Sequence, residues 1–173
     1  MMSERIAIRE MVESDCPVIA NAFAAQGWNK PISQYLRYWQ EHIAGKRNVL
    51  LAEYDGQFAG YVTIVWESDY PPFRQASIPE IVDFNVLIKY RRAKIGTTLM
   101  DAAEERITPR SPVAGLGVCV HADYGAAQSL YIKRGYVPDG RGVFYQGRYP
   151  TYGEQVQIGD DLALYLTKRL RLG

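Results

Sequence analysis

The chain is poor in the residues that most often announce chemistry. Its 173 residues include two cysteines, Cys16 and Cys119, and two histidines, His42 and His121. The cysteines are far apart and form no metal or redox motif, so a reduced, cytoplasmic protein is the expectation. Two isolated histidines, with no Asp or Glu at ligand spacing, exclude a recognisable metal centre. The formal charge is only +1, which excludes a global field drawing the chain to nucleic acid or membrane. Any anion site must therefore be local. No run reaches the ~18 apolar residues of a membrane span. The opening "MMSERIAIRE" has no apolar core of signal-peptide length. Repeats, low-complexity tracts and linkers are also missing.

What is present is an ordinary globular composition with one bias. Hydrophobic residues make up 47% and charged residues 23%, a balance that argues for a packed single domain. The bias is aromatic: 13 tyrosines and 3 tryptophans, many of them between Trp28 and Trp66.

Periodicity predicts the elements. "RIAIRE" alternates as a first strand. "ESDCPVIANAFAAQG" reads as a helix with Asp15 at its N-cap, Pro17 in the first turn and Gly27 as the stop. "ISQYLRYWQEHIAGK" follows as a helix with Ile32, Tyr35, Leu36, Trp39 and Ile43 as its apolar stripe. "NVLLAEY" and "QFAGYVTIVW" are strands joined by an Asp55-Gly56 turn. "SDYPPFRQAS" reads as a loop, and "IPEIVDFNVLI" as a strand leading to a helix that ends near Ile107. Thereafter "AGLGVCVH" is a strand, "GAAQSLYIKRG" a helix, and "GVFYQG" and "DLALYLTKRL" the last strands. Strand and helix alternate only in the middle, which favours a mixed sheet with helices on both faces.

The chemistry concentrates in "YRRAKIGTTLM", Tyr90 to Met100. A loop that leaves a strand and opens a helix carries unpaired N–H groups and the positive end of the helix dipole. Arg91, Arg92 and Lys94 add cationic side chains, Gly96 lets a ligand approach the backbone, and Thr97 and Thr98 add hydroxyls. These parts suit a diphosphate. A solvated basic turn is the alternative, and the spacing alone does not separate the two. A phosphate-binding Walker loop is absent. "GLGVCV" has too few glycines for a dinucleotide fingerprint and lies inside a strand.

"YRRAKIGTTLM" resembles the acetyl-CoA loop of the GNAT N-acetyltransferase superfamily, with Arg91 at its first place and Gly96 at its last. Lys94 stands where a glycine is usual. "AAQSLYIKRGY" resembles the family's second signature through Ala127, Leu130, Tyr131, Gly135 and Tyr136, with Tyr124 in place of a frequent asparagine. The resemblance extends to the order of elements over nearly the whole chain. It implies an α/β (α+β) fold: a mixed, mostly antiparallel sheet of about seven strands, about four flanking helices and a splayed strand pair at the cofactor site. It also implies one acetyltransferase domain spanning 1–173.

By the same resemblance, acetyl-CoA is held by Phe84, Asn85, Val86 and Leu87, by Arg91, Arg92, Ala93, Lys94, Ile95, Gly96, Thr97 and Thr98, and by Ala127 and Tyr131, with the Val86 N–H as oxyanion donor. Tyr131 is the implied general acid: a phenol of pKa near ~10 can protonate a thiolate of pKa about 8.5. Asp83 and Glu80 are candidate bases. They point to opposite faces of a regular strand unless a bulge intervenes. A base acting through water, His121 included, or no dedicated base are the alternatives. Trp28, Tyr35, Trp66 and Tyr70 are the expected acceptor-side residues, in an aromatic neighbourhood that would suit a cationic amine. The implied acceptor is a small-molecule or peptide amine, with no nucleic-acid or membrane partner. The segment "GRGVFYQGRYPTYGEQVQIGDD" offers either a pocket rim or a homodimer contact. A non-catalytic acyl-CoA-binding module, or a transferase for another acyl group, is the alternative function.

Overall fold

The Asp55-Gly56 turn behaves as its residues dictate: both take positive φ, 48° and 76°, the geometry that matches strand twist in a two-residue hairpin. It joins β2 (Arg47–Tyr54) to β3 (Gln57–Val65), antiparallel, with Tyr54 opposite Gln57. The computed structural model describes residues 5–171. These form two units, residues 5–66 with 81–106 and residues 67–80 with 107–171.

In the first unit β1 (Ile6–Glu10) pairs antiparallel with β2, and the strand order is β1-β2-β3-β4, where β4 is Glu80–Val86. Helices α1 (Asp15–Ala25), α2 (Ile32–Ile43) and α4 (Ile95–Ile107) belong here as well. Phe23 is the centre of the core, with its ring against Trp28, Phe58 and Tyr61. A fully buried Phe contributes about 1.5–3 kcal/mol by burial alone.

Two local expectations are corrected. Asp15 is not the N-cap of α1; Ser14 holds that place, without a side-chain bond. The Asp15 carboxylate instead accepts two bonds of 2.8 Å from the Arg9 guanidinium and one of 2.8 Å from the Val12 N–H. Arg9 also bonds Glu53, so the start of α1 is tied to β1 and β2. The predicted stripe of α2 is rotated: Leu36 is 41% exposed and Ile43 58%, whereas Tyr35 and Tyr38 are buried. Burying tyrosine requires hydroxyl partners, and this face supplies them. His42 accepts the Val49 N–H at 3.2 Å and stacks on Trp39.

The second unit contains α3 (Pro71–Gln75), β5 (Val113–Cys119), α5 (Gly125–Lys133), β6 (Val137–Tyr145) and β7 (Leu162–Arg169), with strand order β5-β7-β6. Helix α3 lies in the segment read as a loop; its prolines occupy the first turn, where no N–H is needed. Strand β6 begins at Val137 and has an irregular register between Pro138 and Val143, so its first residues escaped the alternation pattern. Tyr70 stacks on Tyr165 with ring centroids 3.6 Å apart, and Phe73 and Phe144 meet the pair edge-on. Gly115 makes room for this cluster: a Cβ there would lie 2.3 Å from the Phe73 ring. Among the described residues, seven strands, mostly antiparallel, and five α-helices make a mixed α/β fold.

Candidate active site

The segment that opens α4 has a backbone unlike its sequence neighbours. Arg92 and Lys94 adopt φ of 68° and 64°, each a left-handed conformation that costs a non-glycine residue about 1 kcal/mol or more. Alternating hand along a chain turns successive N–H groups toward one side and forms an anion-binding concavity. The first N–H here with a helical acceptor is that of Thr98, which donates to the Lys94 carbonyl at 3.0 Å. The amides of Ile95, Gly96 and Thr97 therefore project from the helix start. Lys94 takes the backbone conformation that a glycine would take, and its side chain is exposed.

The side chains of this loop divide the work. Arg91, Arg92 and Lys94 are exposed cations, and the Arg91 guanidinium lies 5.7 Å over the Trp28 ring. Ile95 is buried and anchors the helix, with Ala93 half-buried before it. Thr97 is exposed, while the Thr98 hydroxyl donates to the Lys94 carbonyl. Gly96 is set close to Phe84: a Cβ would stand 3.0 Å from the end of its ring, so the ring would have to give by a few tenths of an ångström. Projecting amides beside three exposed cations are the chemistry that can take an anionic group such as a diphosphate.

Strand β4 carries the second feature. Asp83, in mid-strand, has φ of 55°, so the regular alternation between Glu80 and Asp83 is broken. Its carboxylate is the hub of a polar cluster. Oδ2 accepts from Tyr61 Oη at 2.6 Å, Tyr38 Oη at 2.9 Å and Gln34 Nε2 at 3.0 Å. Oδ1 accepts from Asn85 Nδ2 at 2.6 Å and faces Lys30 Nζ at 3.7 Å. Burial, with the Asp83 charge beside it, pushes the Tyr38 phenol up to about 12 and raises Tyr61 as well. Burial raises Tyr35 too. These hydroxyls stay protonated and serve as donors.

The backbone around the hub is closely set. Gly60 allows β3 to approach β4, since a Cβ there would lie 2.5 Å from the Asn85 carbonyl oxygen. Leu87 is buried and donates its N–H to the Ala59 carbonyl at 2.8 Å. Phe84 and Val86 are half-buried. Arg47 lies 4.2 Å over the Tyr38 ring and bonds Glu41 and Thr63, whose hydroxyl donates to the Val82 carbonyl. Of the acceptor-side residues in this unit, Trp28 is half-buried and stacked on Phe23, and Trp66 is half-buried. Tyr35 is fully enclosed and joins the hub through its hydroxyl, 3.4 Å from that of Tyr61. Sequence reasoning passed over Lys30, Gln34 and Tyr61 as hub members. The spacing of Lys30, Gln34 and Tyr38, four residues apart, was the available signal.

The second unit holds the remaining candidates. Tyr131 is 7% exposed, its ring 6.1 Å from Tyr136, and burial pushes its phenol up to about 12. Ala127 is half-buried on the same helix. Gln128 donates to the Cys119 carbonyl at 2.8 Å, which ties α5 to the end of β5, and Tyr124 donates to Asp160 at 3.1 Å. Glu80 accepts from the Ser68 hydroxyl. Tyr70 is buried and its hydroxyl donates to Asp139 at 2.7 Å. The late segment contributes Arg141, Phe144, Arg148 and Tyr149 to a cavity of about 230 Å³ that Pro71 and Pro72 complete. No helix among the described residues is long and apolar enough to cross a membrane.

Comparison with known proteins bears on this geometry. The model of the acetyltransferase (GNAT) domain matches residues 19–147. No curated protein sequence matches the chain. Among solved structures, yncA from Salmonella typhimurium, described with its cofactor acetyl-CoA, superposes with a TM-score of 0.70 at 17% identity, over 97% of this chain and 95% of that one. The ribosomal-protein-S18-alanine N-acetyltransferase from Escherichia coli gives 0.69 at 15% identity, over 97% and 96%. A spermidine N-acetyltransferase chimera from Vibrio cholerae gives 0.69 at 12%, over 96% of each chain. At such identities the likeness concerns the fold. The family match covers both the Arg91–Gly96 loop and the Ala127–Tyr136 signature. The chain belongs to the GNAT acetyltransferase family, whose acetyl donor is acetyl-CoA.

Proposed function

We propose that the protein transfers the acetyl group of acetyl-CoA to a primary amine of a small molecule or peptide, by direct attack of that amine in a ternary complex. The whole chain, 1–173, acts as one acetyltransferase domain in the cytoplasm. The observation that carries the reading is the pair of left-handed residues, Arg92 and Lys94, set before the open amides of α4. When bound, acetyl-CoA supplies an activated acetyl thioester. Arg91, Arg92, Lys94 and the amides of Ile95 to Thr97 hold its diphosphate, with Gly96 keeping the approach clear. Residues Phe84 to Leu87 and Ala127 line the rest of the donor, and the Val86 N–H stabilises charge on the carbonyl oxygen.

Tyr131 holds a proton on its hydroxyl at every working pH and gives it to the leaving sulfur. Of the two carboxylates, Asp83 serves the acceptor side, taking the amine proton through water, because it lies in the same unit as the Arg91–Gly96 loop and the Trp28 ring. Trp28 and the aromatic rings around the hub bound that side.

The reading is tested by incubating the protein with acetyl-CoA and a panel of amines and free-N-terminal peptides, following thiol release and product mass together. Acetylated amine formed in step with free thiol is expected. Thiol release without any acetylated amine, or acetyl found only on hydroxyl acceptors, contradicts it.

A further inference from the structure

Asp83 is the one carboxylate of the polar hub, and its charge is already matched. Lys30 Nζ lies 3.7 Å from Asp83 Oδ1 and 5.4 Å over the Phe23 ring. A carboxylate on one side and an aromatic face on the other are the two features that recognise an ammonium ion. Here the chain's own lysine fills that place. The other groups around Asp83 are Tyr38, Tyr61, Gln34 and Asn85, all neutral donors. Arg47 approaches through the Tyr38 ring and is paired with Glu41. The hub is therefore neutral with Lys30 in place and carries one negative charge without it.

The pair remains open to solutes. The Lys30 and Asp83 side chains are 21% and 17% exposed. Lys30 sits on the short connection between α1 and α2, bounded by Gly27, with φ of 82°, and Pro31, which opens α2.

We propose that Lys30 is a specificity-determining residue: it occupies the ammonium site of Asp83 and so disfavours acceptors that carry a second ammonium group. The proposal rests on the acceptor side lying at Asp83. An incoming monoamine meets a neutral site that does not hold it in the protonated form, which suits a nucleophile that must react as free amine. A diamine brings a second cation toward a site that already contains one, and the two repel. Amines without a second charge, peptide N-termini with uncharged neighbours among them, are the acceptor class this arrangement fits.

Calorimetry on the full chain with coenzyme A present compares butylamine with diaminobutane, which differ by one ammonium group. Wild type is expected to bind butylamine at least as tightly as the diamine. Lys30→Gln shifts the ratio toward the diamine by about tenfold or more, the worth of one ion pair of ~1.4 kcal/mol, and Lys30→Arg keeps the wild-type ratio. A folded Lys30→Gln variant with an unchanged ratio, or with no heat for the diamine, overturns the proposal. So does a wild-type preference for the diamine, a result that needs no variant to fold. Acetylation of either amine is measured separately. A shifted binding ratio without any acetylated product contradicts the N-acetyltransferase reading while leaving the role of Lys30 intact.

Discussion

Tyr131 and Asp83 differ in what surrounds them, and that difference sets what each can do. The Tyr131 phenol is buried and raised to about 12, so it keeps its proton throughout the working range. Tyr131→Phe is expected to lower kcat by about 10²–10⁴ with coenzyme A affinity unchanged; steady-state kinetics beside calorimetry reads both. An equal loss of affinity would make the tyrosine a binding residue instead. Asp83 accepts four hydrogen bonds. Asp83→Asn removes the charge they share and leaves Lys30 without its partner, so it should cost about 1–3 kcal/mol in urea unfolding as well as lowering kcat/KM. Tyr131 could be singled out in the sequence because a short signature surrounds it, and its role is what Tyr131→Phe tests. The hub was not, because apolar periodicity drew attention to Leu36 and Ile43, whereas the face of α2 that packs inward is held by tyrosine hydroxyls. Polar convergence leaves only a four-residue spacing in the sequence, and the destination of those side chains is a tertiary fact.

At the scale of the element, the loop before α4 was readable in its charges and its glycine but not in its backbone. Lys94 looked like a departure from a glycine position. Its φ of 64° shows that the conformation persists and that the chain carries the strain. Lys94→Gly should therefore leave stability unchanged and weaken acetyl-CoA only by the loss of one cation beside the diphosphate, up to about tenfold. Lys94→Val places a β-branched residue in the left-handed region and should cost about 1–2 kcal/mol while weakening the cofactor. Thermal melts with and without acetyl-CoA distinguish the two; equal behaviour of the Gly and Val variants would show that backbone hand at this residue is immaterial. The same scale explains β4. The left-handed Asp83 breaks the alternation that period-two reasoning assumes, a feature that only geometry reveals.

Over the whole molecule, the order of strands and helices was legible because each element has its own punctuation: Asp55-Gly56, Gly27, Gly135 and the prolines. Among the described residues, α3, the start of β6 and the 3-10 turns Ile88–Tyr90 and Ala122–Tyr124 were missed, each too short or too irregular to show a period. Stability at the whole-molecule level should carry the mark of Asp15. Burial raises its carboxyl, but the Arg9 bonds, the Val12 N–H and the Arg9 charge outweigh it and hold the pKa below the ordinary value. The resulting stabilisation is full above about pH 4, the unfolded value, and is lost as pH falls through the lower folded value. Urea unfolding of wild type should steepen in that acid window, whereas Asp15→Asn should be weaker at neutral pH and flatter below it.

If backbone amides at the start of α4 hold a diphosphate together with Arg91, Arg92 and Lys94, as proposed, a donor fragment without that group must bind weakly. Calorimetric titration compares coenzyme A with pantetheine, which lacks the diphosphate and the 3′-phosphoadenosine attached to it. Coenzyme A should bind at least about a hundredfold more tightly; equal affinities, or no heat with coenzyme A at all, would contradict the account.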